Sequence, residues 1–67
     1  MTEKDYRIDA VSGPSVKTED YVYTGQELGK DTDGKPVFTD FDGQISSIRF
    51  NGVEHLFIVT VTGTESS

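Results

Sequence analysis

One dipeptide, Asn51-Gly52, constrains this chain more than any other feature, because it separates two strand-like runs, Gln44 to Phe50 and Val53 to Thr62. Both central positions of a type I′ turn need positive φ, which Asn tolerates and Gly takes freely, so the pair predicts a β-hairpin. A two-residue turn sets the register. It places Phe50 opposite Val53, Arg49 opposite Glu54, Ile48 opposite His55, Ser47 opposite Leu56, Ser46 opposite Phe57 and Ile45 opposite Ile58. Alternation then puts Phe50, Val53, Ile48, His55, Phe57, Val59 and Val61 on one face. The other face carries an Arg49/Glu54 pair near the turn, followed by Leu56, Ile45 and Ile58.

Leu56-Phe57-Ile58-Val59 is therefore apolar on both faces and needs cover on both. The segment reads as a central strand of a small barrel or folded-over sheet, since closure removes a sticky edge. An edge masked by self-association is the competing arrangement. Ile45-Ser46-Ser47-Ile48 breaks strict alternation, so its two isoleucines face opposite ways unless a β-bulge intervenes.

Upstream, Tyr6, Ile8 and Ala10 alternate with Arg7, Asp9 and Val11, the pattern of a half-buried strand that Gly13-Pro14 ends. Asp20 to Thr24 is a second strand, and its Tyr21 and Tyr23 are expected to point toward the core with their hydroxyls at its rim. Thr24 to Leu28 is bracketed by Gly25 and Gly29, too short for a stable helix, and reads as a single turn or irregular corner. Lys30 to Lys35 has no apolar side chain and contains Asp33-Gly34, the mark of an exposed turn. Pro36 puts the Val37-Phe38-Thr39 strand at an edge. Phe41, between Asp40 and Asp42, reads as a ring folded back to plug one end of the core.

The whole is thus expected to be all-β: a small antiparallel barrel or folded-over sheet of about five short strands, with its C-terminal hairpin turning at Asn51-Gly52. Residues 1–5 are expected to form a flexible N-terminus, 6–62 a single domain and 63–67 a flexible polar tail. A chain of 67 residues with 33% hydrophobic content has a thin core, and domains of this size gain stability from a staple, a partner or very good packing. No cysteine is present for a disulfide or thiolate metal site.

Twelve acidic against six basic residues give a net charge of -6. That field opposes phosphate backbones, so nucleic acid is not an expected ligand. No apolar run approaches the ~18 residues of a membrane span, and Met1 to Asp9 is too charged for a signal peptide. The expectation is a soluble, cytoplasmic protein with no membrane partner.

Three sets of residues invite a functional reading. His55 is the one histidine and the one side chain that ordinarily titrates near neutral pH, yet no nucleophile motif accompanies it. A structural role is the simpler expectation, and a small enzyme centred on His55 is the less favoured alternative. Asp31, Asp33, Asp40 and Asp42 are the carboxylates of two Asp-Gly turns. Neither turn completes an EF-hand ligand set, so calcium or another hard cation, or a small ligand, would need a site built jointly by the two loops. Asp before Gly is otherwise simply turn chemistry, and no cofactor is expected. Tyr21, Tyr23, Phe41, Leu56 and Ile58 are candidates for an interaction surface.

The stretch Thr39 to Ile48 resembles the segment of biotinyl/lipoyl-type barrel-sandwich domains in which a glycine introduces a strand of spaced hydrophobics. The resemblance implies a compact β architecture. It carries over no swinging-arm lysine, because the hairpin tips hold Asn51-Gly52 or Asp33-Gly34 and neither Lys30 nor Lys35 lies in that family's setting. With no set of residues that bears chemistry, the expected function is a non-catalytic protein-interaction module or structural subunit, whose partner is another protein or a second copy of the chain.

Overall fold

A computed structural model describes residues 2–63. Six strands follow one another: β1 (Glu3–Asp9), β2 (Tyr21–Val22), β3 (Glu27–Lys30), β4 (Pro36–Phe38), β5 (Gly43–Asn51) and β6 (Leu56–Gly63). Four of them form an antiparallel sheet in the order β1-β6-β5-β2, and β3 pairs with β4 in a two-stranded ribbon. The sheet and ribbon make a curled, open half-barrel. β1 begins at Glu3, inside the segment expected to precede the domain, because Glu3 to Asp5 pair with Thr62 to Thr60. Of the expected tail, Gly63 closes β6 and residues 64–67 lie outside the described residues.

β6 is central, flanked by β1 and β5, as its two-sided apolar sequence requires. The inner face of the sheet and the elements curled over it supply the core: Tyr6, Ile8, Val16, Val22, Leu28, Ile45, Val59 and Val61, with Val37, Phe41, Ile48 and Phe57 packed against them. Phe41 thus plugs the core as expected. A register shift between Ile45 and Ser47 shows that, of the two arrangements open to this stretch, a β-bulge is the one adopted. It returns Ile45 and Ile48 to the same inner face, and the added local twist helps the sheet curl.

Two glycines allow the close approaches. Gly29 has φ +152°, and a Cβ there would stand 2.6 Å from Ile8 Cγ2, so β3 can lie against β1. At Gly43 a Cβ would meet the Thr62 carbonyl oxygen at 2.5 Å.

Several expectations are corrected. The hairpin forms, but its final pair is Asn51 with Leu56, and Gly52 to His55 make a four-residue loop. Phe50 pairs with Phe57 rather than Val53, Ile48 with Val59 rather than His55, and Arg49 with Ile58 rather than Glu54. The two-residue register would set Ser46 against Phe57 and Ser47 against Leu56. The observed one sets large apolar side chains against each other, and such cross-strand pairs contribute roughly 0.2–1 kcal/mol each. Positive φ falls on His55, at 58°, instead of on Asn51 and Gly52. The Asn51 Oδ1 accepts the Val53 and Glu54 amides at 3.0 and 3.2 Å, capping the loop from its first residue.

The β2 faces are also reversed. Val22 is buried, while Tyr21 and Tyr23 are 64% and 67% exposed. Val22 pairs with Gly43, in phase with the core residue Ile45, and so lies over the core. The supposed corner at Thr24 to Leu28 holds the start of β3, with Leu28 fully buried. Pro36 opens β4, an edge position that suits a residue without an N–H.

Candidate functional site

The four aspartates are engaged in turn and surface chemistry. Asp31 Oδ1 accepts the Asp33 and Lys35 amides, both at 2.9 Å, and so shapes its own turn. Asp42 Oδ1 accepts the Thr24 amide at 2.7 Å and the Thr24 hydroxyl at 2.9 Å. Those two bonds, the backbone one first, hold the Asp42 carboxyl below the ordinary carboxylate range. Asp40 meets Lys4 Nζ at 2.5 Å. That hydrogen bond and the attached charge lower the Asp40 pKa and raise that of Lys4. Tyr6 ties the pair to the core, its hydroxyl oxygen accepting the Asp40 amide at 3.0 Å. Among the described residues no three acidic or histidine side chains come together as a metal site.

His55 does not lie on the packed face. Its left-handed backbone holds the last position of the hairpin loop, its side chain is exposed, and its ring meets Phe50 edge-on with centroids 6.0 Å apart. Glu54, expected opposite Arg49, instead faces Arg7 across 3.3 Å. Those two residues, with Asp31, Thr32 and Leu56, line an open cleft of about 410 Å³.

Of the candidate interaction residues, Leu56 and Ile58 share the outer face of β6. Leu56 is buried at the floor of the cleft, and Ile58 is half-buried between Arg7 and Arg49, its neighbours across the two ladders. Long arginine stems cover apolar surface while keeping their charge in water, which explains how an outward isoleucine is sheltered. Tyr21 belongs to the same face but to the far end, in the row of Gln44, Thr62 and Glu3. Tyr23 is exposed beyond β2, and Phe41 is withdrawn against the core. The five do not form one surface.

A different apolar patch emerges at the hairpin end of the inner face. Phe50 is 56% exposed, Phe57 and Ile48 are half-buried, and Val53 in the loop is 97% exposed. Phe50 and Phe57 stack at a tilt of 58° with centroids 5.3 Å apart. The Ala10 amide donates to the His55 carbonyl at 3.3 Å, bringing the turn after β1 beside the loop, and Val11 in that turn is 87% exposed. Sequence reasoning missed this patch because it paired Phe50 with Val53 on a covered face. One signal was available: the Tyr21 to Thr24 run is far shorter than Gln44 to Phe50, so β2 had too little length to cover β5.

Comparison of the chain with protein-family models, with curated proteins and with solved structures found no match. No helix among the described residues is long and apolar enough to cross a membrane.

Proposed function

We propose that the protein is a non-catalytic interaction module that engages another protein through the hairpin end of its inner face. The observation that carries this reading is the exposure of Phe50, beside half-buried Phe57 and Ile48, and of Val53 in the adjoining loop. A small acidic domain gains nothing in solubility from wet aromatic and branched side chains, and apolar patches rimmed by polar residues mark contact surfaces. Asn51, Glu54 and His55 supply that rim.

Light scattering on the purified chain, followed by affinity capture from its source cells, tests the reading. The expected result is a partner recovered by the wild type and by Tyr23→Ser, and lost with Phe50→Ser and with Val53→Ser. A strictly monomeric protein that recovers nothing, or recovers the same proteins with all variants, would sink it.

A further inference from the structure

The sheet has two edges, and they differ in chemistry. Along β1 the residues whose backbone groups point away from β6 are those out of phase with the bonded pairs, namely Glu3, Asp5, Arg7 and Asp9, the last of which accepts the Gly13 amide. All four carry charge, a device that discourages strand addition. The β5 edge is different. Ile45 donates to the Asp20 carbonyl at 2.8 Å and accepts the Glu19 amide at 2.7 Å, so its backbone faces outward. The bulge turns Ser46 and Ser47 together toward β6. The next outward-facing residues are then Ile48 and Phe50, since backbone direction alternates along an antiparallel strand. β2 stops pairing with β5 at Gln44, so among the described residues Ile48 and Phe50 have no backbone partner. Their side chains belong to the exposed apolar patch, while Arg49 between them points to the opposite face and forms no ion pair among the described residues.

We infer that this edge accepts an extended segment of another protein by strand addition. That segment carries an acidic residue flanked at alternate positions by apolar ones. The inference rests on the interaction reading above and names the partner's chemistry. Apolar side chains opposite Ile48 and Phe50 extend the inner face, and an acid opposite Arg49 meets an unpaired cation. A second copy fits worse. The register that uses both free residues pairs Ile48 with Phe50 of the copy and sets Arg49 directly against the same arginine, and like charges directly opposite are destabilising.

The test is an NMR titration of the full, isotope-labelled chain with a blocked nonapeptide of alternating valine and threonine bearing a central glutamate. A second peptide with a central lysine serves as comparison. The glutamate peptide is expected to shift the Ile48 and Phe50 amides and slow their hydrogen exchange at least tenfold, with the lysine peptide binding about five- to tenfold more weakly. Arg49→Glu, at an exposed position, should reverse that preference, with changes in the peptide-free spectrum confined to position 49 and its ladder neighbours around Ile58. Three results overturn the inference: no response of the two amides to either peptide, equal affinity for both peptides, or protection of those amides in peptide-free protein that grows with concentration. A captured partner that competes for Val53 while the β5 edge stays open would leave the interaction reading standing and remove this one.

Discussion

Phe50 and Phe57 face each other across the β5–β6 ladder, their ring centroids 5.3 Å apart at the hairpin end of the sheet, Phe50 exposed and Phe57 half-buried. This pair shows that the hairpin closes through four residues rather than two. It also leaves an aromatic surface beside an unpaired strand edge. Cross-strand nuclear Overhauser contacts should link Phe50 to Phe57 and Ile48 to Val59. Asn51→Ala, which removes the acceptor for two loop amides, should cost about 1 kcal/mol by denaturant unfolding. Contacts between Ile48 and His55 would contradict the register.

The reversed faces of β2 give a clean contrast. Val22→Ala removes a buried side chain and should destabilise by about 2 kcal/mol, whereas Tyr21→Ser next to it should change stability by less than about 0.5 kcal/mol. Urea midpoints of the two variants decide the matter, and the opposite ranking would mean that the tyrosines line the core.

At Gly29 positive φ and a packed neighbour act together. An added methyl would stand 2.6 Å from the fully buried Ile8 and 3.2 Å from the Gly13 carbonyl oxygen. Gly29→Ala should therefore cost roughly 2–4 kcal/mol, the sum of backbone strain and overpacking. A variant as stable as the wild type would show that β3 does not approach β1 so closely.

Glu19 holds φ 78°, where its side chain makes no hydrogen bond among the described residues while its amide donates to the Ile45 carbonyl at 2.7 Å. Glycine enters that region without penalty, so Glu19→Gly should raise stability by roughly 0.5–1 kcal/mol. Glu19→Val should lower it, and thermal unfolding of the pair is the check.

Acid should loosen two surface contacts in a predictable direction. Asp40 and Asp42 have folded-state pKa values lowered by Lys4 and by Thr24 respectively. Their contribution is present above the ordinary carboxylate pKa and is lost as pH falls through the depressed folded values. The Thr24 amide resonance should titrate with Asp42 below that ordinary range, and Asp42→Asn should abolish the titration. Because Lys4 is raised by Asp40, the same ion pair is present below the ordinary lysine pKa and is lost as pH rises through the elevated folded value. Salt should weaken it, since both groups are exposed.

Much of the strand content was legible. Tyr6 and Ile8 alternate into the core, Pro36 marks an edge, the Ile45–Ile48 spacing breaks alternation where the bulge falls, and the two-sided Leu56–Val59 segment demands a central place. The interaction residues were less legible. Leu56 and Ile58 meet on one face, but Tyr21, Tyr23 and Phe41 go elsewhere, and Phe50 with Val53 makes the patch. A two-residue strand offers no period from which to choose a face. Only the register, which sets Val22 against Gly43 in phase with the core residue Ile45, settles which face of β2 lies over the core.

By itself, then, the sequence determined that this chain is β throughout, that it reverses after Asn51 and that its last strand lies inside the sheet. These follow from φ preferences and from alternation, which act over a few neighbouring residues. The tertiary structure alone decided the four-residue loop, the burial of Val22 in place of the tyrosines, and the open edge at Ile48 and Phe50. Each depends on pairing between residues distant along the chain. Shifting Phe57 from Ser46 to Phe50 leaves Ile48, Phe50, Phe57, Val59 and Val61 on the face that alternation gives them and alters the sum of several cross-strand contacts, each worth about 1 kcal/mol or less.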